Sequence, residues 1–240
     1  MNELGWLGVV RHGESVGNLA ALRAEQEGAE RLDLAPRDPD VPLSPLGREQ
    51  AAAVGRWLRT VPQPDLVLIS PYLRTVETAR AALAGLDLPT SCDERLRDRD
   101  LGQLDLLTTH GVRSLYPQEA ERRARLGKFY YRPPGGESWA DVALRLRALL
   151  ADLRRDHPGG RVLLVTHDVV VQLVRYLVED MTEQELMEAA RRQAIANASV
   201  STWTGDGGGR LAARAFNDIA HLRAQDTEPT AEEGVRAEPV

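Results

Sequence analysis

The chain's first apolar stretch, Leu7 to Val10, gives way at once to Arg11-His12-Gly13-Glu14-Ser15, which predicts a buried strand feeding a polar loop. The pattern recurs twice. Residues 65–70 form a second apolar run closed by Pro71, and residues 161–166 form a third, announced by Pro158-Gly159-Gly160 and ending in His167. Helical spacing fills the intervals. Ser44 and Pro45 supply a cap and a first-turn proline for a helix carrying Leu46, Val54, Leu58 and Val61 on one face. Residues 73–83, 112–126, 138–156, 169–178 and 182–192 read as further helices. Residues 196–204 and 210–216 read as two strands joined by a glycine-rich turn. Residues 25–42 and 92–111 are charged and lack a sustained period, so they are expected to be a surface excursion and a loop with short helical turns.

Strands separated by helices require crossover connections. The expected fold class is α/β, a three-layer sandwich with a mainly parallel central sheet flanked by helices and any antiparallel strands at an edge. One domain is expected over residues 1–218. Residues 219–240, polar and poor in large apolar side chains, are expected to be a disordered acidic tail.

Composition narrows the function classes. Of 240 residues, 42% are hydrophobic and 28% charged, with a formal charge of −6, so a general attraction to nucleic acid or anionic membrane is not expected, while a local basic pocket for a small anion remains open. Cys92 is the single cysteine, which excludes an internal disulfide and a cysteine-built zinc cluster. No run approaches eighteen uncharged apolar residues and no cationic leader opens the chain. The expectation is a cytoplasmic protein without a membrane partner.

Open α/β sheets present ligands beyond the carboxyl ends of their strands. Here those ends carry Arg11-His12, Ser70-Pro71-Tyr72-Leu73-Arg74 and Thr166-His167, bringing two arginines and two histidines toward one focus. A neutral imidazole attacks phosphorus without first losing a proton, provided that its other nitrogen donates to a fixed acceptor. Guanidinium forks match the equatorial oxygens of a transferring phosphoryl group, and a second imidazole adds a donor, read here as a protonated ring. Two histidines without further ligands make a poor zinc site. The leaving alkoxide needs a proton, and Asp93, Glu94, Asp98 and Asp100 in the segment DERLRDRDLG are all available for it.

The opening VVRHGES followed by Asn18, the segment SPYLRTVETA and the strand LLVTH, in that order, resemble the histidine phosphatase superfamily, which includes the cofactor-dependent phosphoglycerate mutases. The resemblance covers roughly residues 7–201. It implies His12 as nucleophile, Arg11 and Arg74 as phosphate ligands, His167 as the second histidine of the phosphate pocket and Asn18 as a hydrogen-bond partner of the transferred group. It places Asp98 at the proton-donor position, where glutamate is usual, and Asp168 where a small residue is common after the histidine. The stretch GKFYYRPPGGES is similar to a substrate-side loop in broad phosphatase-like members, which implies Lys128, Tyr131, Arg132, Glu137 and Ser138 as contacts to the rest of the substrate.

The resulting expectation is a phosphatase that hydrolyses small phosphomonoesters through a phosphohistidine intermediate. Its partner would be a small phosphorylated metabolite, with no metal or organic cofactor. A phosphoglycerate mutase and a phospho-ligand binding module with little turnover are the alternatives.

Overall fold

The computed structural model describes residues 3–231. In chain order the elements are β1 (Trp6–Arg11), α1 (Val16–Glu27), α2 (Pro45–Leu58), β2 (Leu66–Ile69), α3 (Leu73–Ala82), β3 (Thr90–Cys92), α4 (Thr109–Leu115) and α5 (Pro117–Tyr130). They continue as α6 (Trp139–Asp156), β4 (Arg161–Thr166), α7 (Asp168–Val178), α8 (Glu183–Arg192), β5 (Val200–Gly205), β6 (Leu211–Asp218) and α9 (Ala220–Arg223). The six strands form one sheet in the order β3-β2-β4-β1-β5-β6. The first four are mutually parallel, and β5 and β6 close one edge antiparallel, as the alternation of apolar runs and helices predicts.

Strand alternation divides the core in two. Leu7 and Val9 of β1, with Val162 and Leu164 of β4, face α6 and α7 through Trp139, Leu146, Leu150, Val170 and Val174. Val10, Val67, Leu163 and Val165 face α2 and α3 through Ala53, Val54, Leu58 and Ala79. Both faces of the central strands are thus covered, which explains why these strands read as continuous apolar runs rather than as alternating ones. No helix of the described residues is long and apolar enough to cross a membrane.

Several boundaries differ from the sequence reading, each for a local reason. The excursion expected from residue 25 begins only after Gly28, because Ser15 and Asn18 form a capping box that starts α1 and Gly28 ends it in the left-handed conformation. The helix expected over 112–126 is two helices, broken at Tyr116 where Pro117 starts α5. The tail expected from 219 corrects in its first part. Leu222 of α9 is fully buried in the core on the α2 face, Gln50 Nε2 donates to the Glu228 carbonyl at 2.9 Å, and the Asn197 amide donates to the Thr230 carbonyl at 2.7 Å. One leucine and the polar groups of α2 and the 197–199 turn suffice to hold a segment whose composition reads as tail. Residues 232–240 of the same expectation lie outside the described residues.

The loop after β1 rests on backbone contact with α2. A Cβ on Gly13 would lie 2.3 Å from the Gly47 carbonyl oxygen, and one on Gly47 would lie 1.9 Å from the Glu14 carbonyl oxygen. Gly13 therefore permits close approach to a neighbouring helix. Gly47→Ala is expected to lower stability by about 1–3 kcal/mol through overpacking and to displace the His12 loop. Denaturant unfolding measures it, and an unchanged midpoint would show that the contact is slack.

Candidate active site

The ends of β1, β2 and β4 converge because the strands are in register there, with Arg11 opposite Thr166 and Ile69 opposite Val165. The His12 amide then donates to the Thr166 carbonyl at 2.8 Å, and the His12 carbonyl accepts from the Ala198 amide at 3.0 Å and from Asn197 Nδ2 at 3.3 Å. The backbone of His12 is latched on both sides.

His12 Nδ1 lies 2.7 Å from the Gly13 carbonyl oxygen. A carbonyl only accepts, so the hydrogen sits on Nδ1 and leaves the Nε2 lone pair free. Burial, followed by the charges of Arg74 and Arg11, pushes the imidazole pKa well below its ordinary value, so the ring is neutral at neutral pH. The predicted tautomer and ionisation of a nucleophilic imidazole are both present.

His167 is fully buried, its ring centroid 5.3 Å from that of His12 and 5.1 Å from that of Tyr72. Burial and then Arg74 and Arg11 depress its pKa strongly as well. The protonated ring anticipated from sequence is therefore neutral in the free site. Ser70 Oγ, 2.8 Å from His167 Nε2, accepts from the Tyr72 amide at 3.4 Å and keeps its own hydrogen for the ring. Assigned its hydrogen on Nδ1, which stands 3.4 Å from Asp98 Oδ2 and makes no hydrogen bond in the free site, the ring offers a donor without carrying charge.

Arg74 is held by two carboxylates. Nη1 contacts Asp38 at its Oδ1 (2.9 Å) and its carbonyl oxygen (2.7 Å), and Nη2 contacts Asp98 Oδ2 at 3.0 Å. Tyr72 lies beneath the guanidinium, 5.0 Å from its carbon to the ring centroid. Arg11 is buried and donates through Nη1 to the Ile195 carbonyl. Both arginines, His12, Ser15, Asn18, Asp38, Tyr72, Asp98, Arg99, Arg123, Lys128 and Asp168 line one cavity of about 490 Å³.

The acid segment is fixed from behind. Thr166 Oγ1 donates to the Leu96 carbonyl at 2.8 Å, and Arg145 Nη2 donates to the Asp98 carbonyl at 3.1 Å. Glu137 accepts from Arg97 at 2.6 Å, from Arg145 at 3.1 Å and from the Asp100 amide at 3.2 Å. Of the four acids that sequence leaves open as proton donor, Asp98 is the one in contact with both Arg74 and His167.

The structure brings His12, Arg11, Arg74, Asp98, Asn18 and Lys128 to the cavity, with His167 directly against Asp98. Four expected substrate contacts do not line it. Tyr131 is buried with its hydroxyl on Glu119 at 2.8 Å, and Arg132 turns outward to Asp141 at 2.7 Å. Glu137 is committed to the arginines above, and Ser138 caps α6 in a capping box with Asp141. Sequence reasoning missed Ser70, Asp38, Arg99 and Arg123. Ser70 ends an apolar strand and was available as a signal, whereas Asp38 and Arg99 come from charged segments without periodicity and Arg123 is one of several arginines on a predicted helix. Asp168 begins α7 in the cavity wall, where its charge favours the cationic form of Lys128. Among the described residues no group of three or more His, Cys, Asp and Glu is arranged to hold a metal ion.

The family profile described as histidine phosphatase superfamily (branch 1) matches residues 7–218. Human 6-phosphofructo-2-kinase/fructose-2,6-bisphosphatase 3 is 30% identical over 176 residues, which cover 72% of this chain and 30% of that protein, so the chain spans about a third of the length of such relatives. Among solved structures, the mycobacterial glucosyl-3-phosphoglycerate phosphatase with inorganic phosphate is 27% identical with a TM-score of 0.69, covering 90% of this chain and 98% of that one. Bacillus stearothermophilus YhfR is 27% identical with a TM-score of 0.71, at the same coverage of both chains.

Proposed function

Because the chain belongs to the histidine phosphatase superfamily, branch 1, we propose that it hydrolyses small phosphomonoesters carrying a second anionic group, through a phosphohistidine formed on His12. The chain is a phosphoric monoester hydrolase with a histidine nucleophile. The observation that carries the finer reading is the bond from His12 Nδ1 to the Gly13 carbonyl, which leaves Nε2 unprotonated at the floor of a cavity holding two buried guanidinium groups.

In the first half-reaction Nε2 attacks phosphorus in line while Arg11, Arg74 and the His167 Nδ1 hydrogen hold the equatorial oxygens. Asp98 gives up its contact with Arg74 to the incoming phosphoryl oxygens. The carboxyl takes up the proton that a monoanionic phosphate ester brings with it and transfers that hydrogen to the departing oxygen as the P–O bond breaks. In the second half-reaction the same carboxylate accepts a proton from water as that water attacks phosphohistidine, which frees His12 and releases phosphate. Arg145, itself held by Glu137, positions Asp98 for both steps by donating to its backbone carbonyl.

The second anionic group follows from the far wall. Burial pushes the Lys128 ammonium down to about 8 and Arg99 to about 10, each depressed further by Arg123, itself lowered mainly by burial. Three cations that weaken one another's charge in a half-buried wall are stabilised by an anion between them. The names of two relatives, a fructose-2,6-bisphosphatase and a glucosyl-3-phosphoglycerate phosphatase, describe substrates with a second phosphate or a carboxylate, which supports this reading.

A phosphate-release panel tests both parts. The wild type is expected to prefer esters bearing a carboxylate or second phosphate by about tenfold in kcat/KM over neutral alkyl phosphates, as befits hydrogen bonds to a charged group. His12→Ala is expected to release phosphate from none and to form no acid-labile phosphoenzyme. Covalent phosphate localised to another residue would overturn the nucleophile, and equal rates across the panel would overturn the substrate class.

Asp98→Asn removes the transferable proton with little change of size. The phosphorylation burst is expected to fall by about 10²-fold for an alkyl ester and much less for an activated aryl ester, whose leaving group departs with little proton assistance. Equal losses for the two would remove Asp98 from that role.

A further inference from the structure

Asp38 belongs to no part of the scheme above, yet it occupies half of Arg74. It projects from a short 3-10 turn, Asp38–Asp40, in the excursion between α1 and α2, and its side chain remains 36% exposed at the cavity wall. Oδ1 and the carbonyl oxygen both meet Arg74 Nη1, while Asp98 takes Nη2. The consequence is one of charge. With both histidines neutral, Arg11 and Arg74 are balanced by Asp38 and Asp98, so the free reaction centre presents no net positive charge to a phosphate dianion. Asp98 has a role that requires it to become protonated when phosphate arrives. Asp38 has none, and its carboxylate stands beside the same guanidinium that the phosphoryl group must engage.

We infer that Asp38 is a specificity-determining carboxylate, which makes this site take up a phosphoryl dianion together with a proton and so favours phosphate ligands at mildly acidic pH. The inference rests on the phosphatase reading for the identity of the anion and on the Asp38–Arg74 geometry for the proton. The groups facing Asp38 are Arg74 and Tyr72 from the β2–α3 junction, Asp98 and Asp105 from the segment after β3, and Arg37 and Asp40 on its own turn, the last two paired with each other at 2.6 Å. Burial is the largest influence and raises its pKa, Arg74 opposes, and Asp98 and Asp105 raise it again, to about 6. Adding a dianion beside it raises the affinity for a proton further. A carboxyl with this midpoint is neutral in part at pH 5.5 and ionised at pH 7.5, so repulsion grows over that window. Linkage gives the sign: phosphate affinity falls as pH rises through the Asp38 midpoint.

Calorimetric titration of the full-length wild type and Asp38→Asn with inorganic phosphate, from pH 5.5 to 8, tests the inference without relying on turnover. Ionisation of phosphate itself cancels in the ratio of the two dissociation constants. That ratio, wild type over variant, is expected to be near 1 at pH 5.5 and to reach about tenfold or more at pH 7.5. Repeating the titration in buffers of different ionisation enthalpy is expected to show fewer protons taken up by the variant near pH 7. Asp40→Asn, on the same turn but paired with Arg37, is expected to follow the wild type. A second replacement, Asp38→Ser, is expected to track Asp38→Asn and guards against an effect peculiar to one side chain. A variant that binds phosphate more weakly by a constant factor at every pH would show that Asp38 only steadies Arg74, and would overturn the inference. So would a ratio that stays at 1, or a wild type that binds no phosphate at any pH. A wild type that binds phosphate with the expected ratio yet forms no phosphoenzyme would uphold the proton linkage while removing the proposed catalytic cycle.

Discussion

The buried guanidinium of Arg74 is the constraint around which the reaction centre is organised. A cation removed from water costs several kcal/mol unless anions and acceptors surround it. In the free site Asp38 and Asp98 supply them, from two loops that are also bonded to each other through the Leu32 amide on the Leu106 carbonyl and the Thr108 amide on the Glu30 carbonyl. Burial, followed by the charge of Arg74 and that of Arg11, keeps His12 and His167 neutral. A neutral His12, a neutral His167 opposite it and the two carboxylates of the free site are gathered around one arginine placed at the first turn of α3.

Catalytic geometry of this kind needs support at the strand ends and from behind the acid. The first is provided by the parallel ladder of β1, β4 and β2, which fixes the backbone of His12, His167 and Ser70 within one hydrogen-bonded register. The second comes from Glu137 and Arg145, which tie residues 95–100 to the start of α6. Aspartate at the donor position is a methylene shorter than the glutamate that the resemblance implies. In this chain it still reaches Arg74 and His167, because its backbone is drawn to Arg145.

Much of this was legible in the chain because it depends on local pattern. Apolar runs ending abruptly in Arg11-His12 and Thr166-His167 mark buried strands whose ends carry chemistry, and the helices that cover both sheet faces show their period directly. The residues that escaped are those whose roles depend on distant partners. Asp38 lies in a stretch with no period, and its meeting with Arg74 is set by how residues 28–43 return to α2. Glu137 reads as a substrate contact when only its neighbours Pro134 and Ser138 are known, since its pairing with Arg97 and the Asp100 amide crosses more than thirty residues. The segment 219–231 escaped in the opposite sense, as composition weighs every residue equally while buried Leu222 and a few backbone bonds hold it.

In the proposed cycle a phosphoryl group on His12 replaces a carboxylate on Arg74. A crystal structure with vanadate, which mimics the transferring group, tests it most directly. Vanadium is expected to bond to His12 Nε2, with equatorial oxygens on Arg11, Arg74 and His167 Nδ1, and the Asp98 carboxyl moved off Arg74 onto the apical oxygen. Vanadate held elsewhere in the cavity, with Asp98 still bridging Arg74 and His167, would contradict it.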